Sequence, residues 1–232
     1  ERPDSTPLEL LIDKGKYWQA VSDDVDKVQS DVNLMDVWSK DAAEQMKIEI
    51  DQDVLTNMIT DISALNSGAT AGAKTASFNL GTTGSPLTVT KDGAGGTTSI
   101  IDLIVDIGTV LDEANCPEGD RYLVLPAKAV GLIKKSELKD ASLSGDGTSI
   151  LRNGRVGMVD RFTIYMSHNL YTASAKTNII AGTKRGLTFA SQLTNVETLR
   201  AESTFGTLIR GLNVYGYKVV KPEAIATAVI TF

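Results

Sequence analysis

The chain has 232 residues, 42% of them hydrophobic and 22% charged, which excludes a disordered or fibrous protein and suits a folded one. Its 23 Lys plus Arg against 29 Asp plus Glu give a net charge of −6, and dedicated nucleic-acid binding is disfavoured because that affinity is built from clustered cations. One cysteine, Cys116, excludes an internal disulfide framework and points to a reducing folding environment.

Residues 1–22 open with Pro, Ser and Thr and continue with apolar runs at 8–12 and 17–21, interrupted by Asp13, Lys14 and Gly15. They read as extended chain. As a lone extended segment the stretch 8–21 is expected to be an unpaired projection, disordered unless a partner strand completes it. Ser30 or Asp31 can cap the next element by accepting hydrogen bonds from its first N–H groups. Residues 32–62 contain no Gly or Pro and place apolar side chains at Leu34, Trp38, Ala42, Met46, Ile50, Val54, Met58 and Ile62, the spacing of one helix roughly 45 Å long. At about 100° per residue, the apolar face of its first half (Leu34, Val37, Trp38, Ala42, Met46) lies roughly 140° from that of the second (Ile50, Val54, Leu55, Met58, Ile59, Ile62). A strut with different neighbours at its two ends is expected.

Residues 64–99 are glycine-rich and carry three charges, Lys74, Lys91 and Asp92. Phe78, Leu80 and the alternation over residues 87–90 suggest short strands in an exposed excursion. Ser99 followed by Asp102 resembles a capping box, and Ile100, Ile101, Ile104, Ile107 and Leu111 give the second helix an apolar face that ends before Pro117. A buried strand over 122–125 follows, then a short helix with Pro126 at its first position. Asn153-Gly154 signals a turn in the polar stretch 140–154. Strands are expected at 162–166 and 178–181, a helical turn near 184–190, and strands at 193–200 and 207–220. The whole is mixed α and β without βαβα alternation, which disfavours a doubly wound sheet or barrel.

The chemistry-bearing residues are few. His168 is the only histidine, and with one cysteine it leaves no set of nitrogen and sulfur donors for zinc; a turn or hydrogen-bonded role suits it better than catalysis. Cys116 is expected to be a small buried apolar residue. The glycines of Asp92-Gly93-Ala94-Gly95-Gly96 precede a helix, but no lysine with Ser or Thr follows, so they read as an exposed hairpin tip rather than a phosphate loop. Asp140, Ser142, Ser144 and Asp146 alternate oxygen donors without the glycine spacing or terminal glutamate of a calcium loop. The helix acids Asp36, Asp41, Glu44, Glu49, Asp51, Asp53 and Asp61 read mostly as a solvated face. No residue is assigned a catalytic, cofactor-binding or metal role, and enzyme is the weaker class. No apolar run approaches the roughly 18 residues of a membrane span, and no charged-then-apolar leader opens the chain. Because the first residue is Glu1 and not Met, further residues are expected upstream.

Several segments together resemble the major capsid protein of tailed bacteriophages, the Hong-Kong-phage-type capsid lineage shared with encapsulin compartments. Residues 8–29, with Ile12-Asp13-Lys14-Gly15-Lys16-Tyr17 and the acidic Ser22-Asp23-Asp24-Val25-Asp26, are similar to the returning arm of that family's extended loop. The long helix, with Asp41-Ala42-Ala43 and Ile50-Asp51-Gln52-Asp53, is similar to its spine helix. The run from Leu111 through Cys116, Pro117, Gly119, Asp120 and Arg121 to Pro126 is similar to the helix, turn and strand of the axial domain. Gly154-Arg155-Val156-Gly157, followed by Phe162 to His168 and Asn169, is similar to the next strand, and Gly216 to Ile225 to the strand returning through the peripheral domain. Arg161 stands where related chains often have a small residue, which implies a different local turn. The Lys–Asn crosslink of part of the family maps onto no residue here.

The resemblance implies an α+β phage capsid fold with a long spine helix, a peripheral β domain and an axial α/β domain. It divides the chain into 1–30, returning arm of the extended loop; 31–97, spine helix and first part of the peripheral domain; 98–190, axial domain; and 191–232, returning peripheral strands. The implied function is a structural subunit of an icosahedral capsid, self-assembling into hexamers and pentamers around double-stranded DNA without sequence-specific binding. Scaffolding, portal and decoration proteins are implied partners, the virion its location and the host cytoplasm its place of assembly, with no cofactor and no membrane. The alternatives are an encapsulin-type shell protein, a β-rich surface-binding module, and a hydrolase built on two buried carboxylates sharing a cleft.

Overall fold

The structure, a computed structural model, describes residues 7–24, 29, 34–136, 157–202 and 204–232. In chain order the described elements are strand β1 (Lys14–Asp23), helix α1 (Leu34–Asn57), strands β2 (Leu87–Thr90) and β3 (Thr98–Ser99), helix α2 (Ile100–Glu113), strand β4 (Arg121–Leu125) and helix α3 (Ala127–Lys135). Strands β5 (Met158–Val159), β6 (Phe162–Met166), β7 (Thr172–Ala173), β8 (Lys176–Thr183), β9 (Leu187–Arg200), β10 (Gly206–Val219) and β11 (Ile225–Thr231) follow. The chain divides into two units, residues 1–54 with 188–218 and residues 55–187 with 219–232.

In the first unit β1, β10 and β9 form a three-stranded sheet in that order. All ten residues of β1 pair antiparallel with β10, from Lys14 opposite Tyr215 to Asp23 opposite Gly206. This corrects the expectation of an unpaired projection. The partner strand lies within the chain, almost two hundred residues downstream, at a separation that local pattern reading does not span. Burial alternates along β1, with Lys14, Lys16, Trp18, Ala20 and Ser22 turned inward and Gly15, Tyr17, Gln19, Val21 and Asp23 turned outward, as the two-residue side-chain period of a strand requires.

Helix α1 also differs from its expectation. It is α-helical to Asn57 and tightens into a 3-10 turn over Met58–Asp61. The residues it shelters are Met35, Ser39, Ala42, Met46, Ile50 and Asp53, one stripe at helical spacing, and then Val54, Leu55 and Thr56, which carry the shelter round the last turn. Val37, Trp38 and Ile48 lie off that stripe and are exposed, so the face expected for the first half is corrected at Val37 and Trp38, while Ile50, Val54, Leu55, Met58, Ile59 and Ile62 of the second-half face are sheltered as expected. The proposed caps Ser30 and Asp31 lie outside the described residues.

The second unit holds the apolar core. Its eight-stranded mixed sheet runs β3-β2-β11-β8-β4-β6-β5, with β7 on β8. β11 is central, parallel to β2 and antiparallel to β8, and is buried from Ile225 to Ile230; a near-continuous apolar run is what a strand covered on both faces needs. Ser99 caps α2 by accepting the Ile101 N–H at 3.3 Å. Ile100, Leu103, Ile104, Ile107 and Leu111 of α2 then share one core with Ala129, Val130 and Ile133 of α3 and with Leu123, Ile179 and Ile230 of the sheet. Each such side chain contributes about 1.5–3 kcal/mol by leaving water. Gly81, at φ +76°, runs so close to the backbone of β11 and Leu87 that a Cβ would strike the Val229 carbonyl.

Residues 64–99 are less exposed than expected, because Ala71, Leu80 and Val89 sit in this core. β2 and β3 run parallel, so the glycines between them, exposed as expected, form a loop joining parallel stubs and not a hairpin tip. Pro126 is the residue before α3 rather than its first turn, with φ −71° and ψ 156°. The expected helical turn near 184–190 is instead a tight turn, Gly186 N–H to Thr183 O at 3.0 Å, after which β9 begins at Leu187. Asn153-Gly154 and the oxygen-rich stretch from Asp140 to Asp146 lie outside the described residues.

Candidate functional site

Two polar knots fix the units internally. In the first unit Lys14 of β1 donates from Nζ to Asp53 Oδ2 at 3.0 Å and to Tyr217 Oη at 2.6 Å, and its ammonium lies 4.2 Å from the Tyr217 ring centroid. Tyr215 Oη donates to the same Asp53 oxygen at 3.0 Å, and Tyr217 Oη to the Asp53 carbonyl at 3.2 Å. The knot is possible because alternation on β10 brings 215 and 217 to the face where α1 presents Asp53. Burial pushes the Asp53 carboxyl up, but the hydrogen bonds from Lys14 and Tyr215 and the Lys14 charge outweigh it and hold it below its ordinary value. Burial and the bond to Asp53 push Tyr215 up to about 12. Among the helix acids, then, Asp53 is no part of a solvated face.

The second unit is wired by Arg121, whose side chain is fully buried. It donates to the carbonyls of Pro117 (2.9 Å), Gly108 (3.4 Å) and Cys116 (2.9 Å), and to Asp112 Oδ1 at 2.6 Å. A buried guanidinium is tolerable only when its donors are taken up in this way. Arg161 reaches the other Asp112 oxygen at 2.8 Å from a turn in which Asp160 and Arg161 both have positive φ, 45° and 66°. Burial raises Asp112, and the two arginines more than reverse it, leaving the carboxyl below its ordinary value. Asp53 and Asp112 are therefore anchored anions with no proton to give at neutral pH, and they belong to different units.

The sequence candidates fall apart in space. His168 is exposed in the bend after β6. Cys116 is half-buried rather than buried, because its Sγ donates to the Glu223 carbonyl at 3.1 Å on the wall of an open cleft; burial pushes the thiol up. Among the described residues no group of three or more His, Cys, Asp and Glu can hold a metal ion, and no helix is long and apolar enough to cross a membrane.

What remains is surface. Tyr17, Val21 and Leu212 line the outward face of the β1-β10-β9 sheet, with a groove of about 410 Å³ between Tyr17, Gln19, Asn195, Arg210 and Leu212. Phe205 stands 87% exposed at the turn between β9 and β10. In the second unit a cleft of about 500 Å³ opens beside Cys116 and Pro222. Exposed aromatic and apolar side chains on a rigid scaffold are the composition of protein-protein contacts. Composition-based reading passed over Phe205 and Tyr17 because a lone aromatic in a turn or an alternating strand carries no motif.

A family model described as phage capsid protein matches residues 9–228. Among solved structures, a chain from Mycobacterium phage Che8 is similar at 27% identity and TM-score 0.73, over 99% of this chain and 76% of that one. A chain from the capsid structure of the cyanophage P-SCSP1u is similar at 16% identity and TM-score 0.68, over 96% and 73%. The holo-SrpI encapsulin complex of Synechococcus elongatus is further away, at 10% identity and TM-score 0.59 over 94% and 73%. No curated protein matches the sequence.

Proposed function

The chain belongs to the phage capsid protein family and is a structural subunit of an icosahedral virion shell, and from that premise we propose that it closes hexamers and pentamers around double-stranded DNA. The observation that carries the reading is the family match over residues 9–228. On this reading 31–97 with the returning strands 191–232 act as the peripheral domain, 98–190 as the axial domain, and β1 as the arm that meets a neighbouring subunit. The role read from the family is structural rather than enzymatic, and Asp53 and Asp112 are each held ionised by neighbouring cations. The net charge of −6 supports an interior that encloses DNA by geometry and not by a cationic binding surface. Scaffolding, portal and decoration proteins complete the particle, which assembles in the host cytoplasm. An encapsulin-type compartment is less favoured, since that likeness extends to the fold alone.

Shell function lies in repeated contacts related by symmetry, each weak and jointly strong. Electron microscopy and light scattering of the expressed chain test it. Rings or closed shells tens of nanometres across, within the order of magnitude that such rings build, are expected; monodisperse monomers under all assembly conditions would overturn it.

A further inference from the structure

Helix α2 ends on two acids, Asp112 and Glu113, at the end where the helix macrodipole is negative and a carboxylate is disfavoured. Asp112 is offset by its salt bridges to Arg121 and Arg161. Glu113 is held instead by a loop from far upstream. Its Oε2 accepts the Lys74 N–H at 2.9 Å and the Thr75 N–H at 3.1 Å, and its Oε1 accepts the Thr75 hydroxyl at 2.8 Å. Ser77 Oγ donates to Thr75 Oγ1 at 3.0 Å, which leaves the Thr75 proton for Glu113. The loop has a firm base and an unsupported tip. Ala71 and Phe78 exchange two backbone bonds of 2.7 and 3.0 Å, and both pack with the core of the second unit. Residues 73–77 are exposed. Among the described residues, the hydrogen bonds that tie them to another element go to Glu113. Ala76 sits at φ +47°, a left-handed conformation that is costly for a residue with a Cβ, so the tip does not hold this shape by its own preference. Gly72, at φ +114°, is the gap through which the carboxylate enters, since a Cβ there would lie 2.8 Å from Glu113 Oε2.

We propose that Glu113 is an acid-opened latch: as a carboxylate it fixes the tip of loop 72–77 to the end of α2, and on protonation it lets the tip go while the base at Ala71 and Phe78 stays closed. A carboxylate only accepts, which is what three converging donors need. Its bonds are charge-assisted, roughly twice as strong as neutral ones. A proton removes that charge and turns one oxygen into a donor that faces donors. Lys74 is the charged group that faces Glu113 from the loop, and its charge adds to the hold; on α2, Asp112 is engaged by the two arginines. The Lys74 and Thr75 N–H groups, helped by the Thr75 hydroxyl and the Lys74 charge, outweigh burial and hold the Glu113 carboxyl below its ordinary value. The sign follows from that direction. The latch is complete above the ordinary carboxylate value and is lost as pH falls through the lower folded one. It works within one subunit and does not depend on the shell reading.

Lys74 makes the tip readable by trypsin. At about pH 8, where the carboxyl is ionised, the unaltered chain is expected to resist cleavage after Lys74. Glu113→Ala, which removes every acceptor, is expected to be cut there at least about tenfold faster, and Glu113→Gln, which keeps one acceptor oxygen without the charge, at a rate between the two. Hydrogen exchange resolved to single amides, each rate taken relative to the unstructured chain at the same pH, follows the titration. In the unaltered chain the Lys74 and Thr75 amides should keep their protection from about pH 7 to 5 and lose it toward about pH 3, while Ala71 and Phe78 keep theirs. In Glu113→Gln, whose side chain does not titrate, tip protection should be weaker and level across the same range; this variant carries both readouts where Glu113→Ala does not fold. Equal cleavage after Lys74 in the unaltered chain and the variants would overturn the latch. So would a tip that follows pH in the same way with glutamine at 113, or one that opens only together with Ala71 and Phe78.

Discussion

In the second unit the apolar side chains of α2, α3, β4, β8 and β11 meet in one buried cluster, and the buried cation Arg121 is surrounded by acceptors. Among its described residues the first unit has no comparable interior. Of its apolar residues Ile50 and Tyr215 are buried, while Tyr17, Val37, Trp38, Ile48, Phe189, Phe205 and Leu212 face water; it is held by cross-strand hydrogen bonds and by the knot around Asp53. The difference teaches where a shell subunit keeps its binding energy. A unit that satisfies its own core has little apolar surface to give a neighbour, and a unit that is stitched together by polar bonds can leave its aromatic side chains outside.

The largest effect that sharpens this contrast is expected at Arg121. Arg121→Met keeps much of the volume but strips the Pro117, Gly108 and Cys116 carbonyls and Asp112 of their donor, with a loss of about 3–5 kcal/mol. Urea denaturation followed by tryptophan fluorescence and far-UV circular dichroism measures it. A loss below about 1 kcal/mol would show that solvent reaches those carbonyls and that the second unit is not the closed one.

The second unit was the more legible from sequence, for a physical reason. The apolar period of α2 and the run of β4 are local signals, and both elements sit where that pattern places them because local burial and tertiary burial agree. β11 was passed over as a strand although it is central, since Ala226, Thr227 and Ala228 are small and weakly apolar and only their neighbours β2 and β8 make them core. In the first unit the decisive facts are long-range: β1 needs β10, and Asp53 needs Lys14 and the tyrosines. None of these partners shares a sequence window. Trp38 misled the helix reading because its size suggests burial, whereas the sheltered stripe runs through Met35, Ser39, Ala42 and Met46.

A middle-sized effect is expected at the first unit's knot. Asp53→Ala removes acceptors from Lys14 and Tyr215 and is expected to cost about 1–3 kcal/mol, less than Arg121→Met because solvent can reach the freed ammonium. The pH dependence gives the sign independently. Folded Asp53 and Asp112 both ionise below the ordinary carboxylate value, so their contribution is complete above that value and is lost as pH falls through the lower folded one. Stability should hold from about pH 7 to 5 and decline from about pH 4 downward. Lys14 and Tyr215 are raised, so their contribution is complete below their ordinary values and is lost as pH climbs through the raised ones. Denaturation midpoints across the acid range check this; an acid slope that is unchanged in Asp53→Ala would mean that Asp112 alone carries it.

The smallest effect on the fold is expected on the outer face of α1. Val37 and Ile48 are 51% and 42% exposed and lie within about 20° of each other on the helical wheel, eleven residues apart, on the side away from the sheltered stripe. Serine at either position gives up little burial and only a small helix propensity, so Val37→Ser and Ile48→Ser should each stay within about 0.5 kcal/mol of the parent. The double variant should be additive, since the two side chains have no shared partner at that spacing. Thermal and urea melting of the unassembled subunit measure it. If either substitution costs more than about 1.5 kcal/mol, the face is covered within the folded chain and the first unit has a core after all. If both are neutral in the free subunit but particle yield falls, the lost energy belongs to contacts between copies, which is where an uncovered face on a polar-stitched unit would spend it.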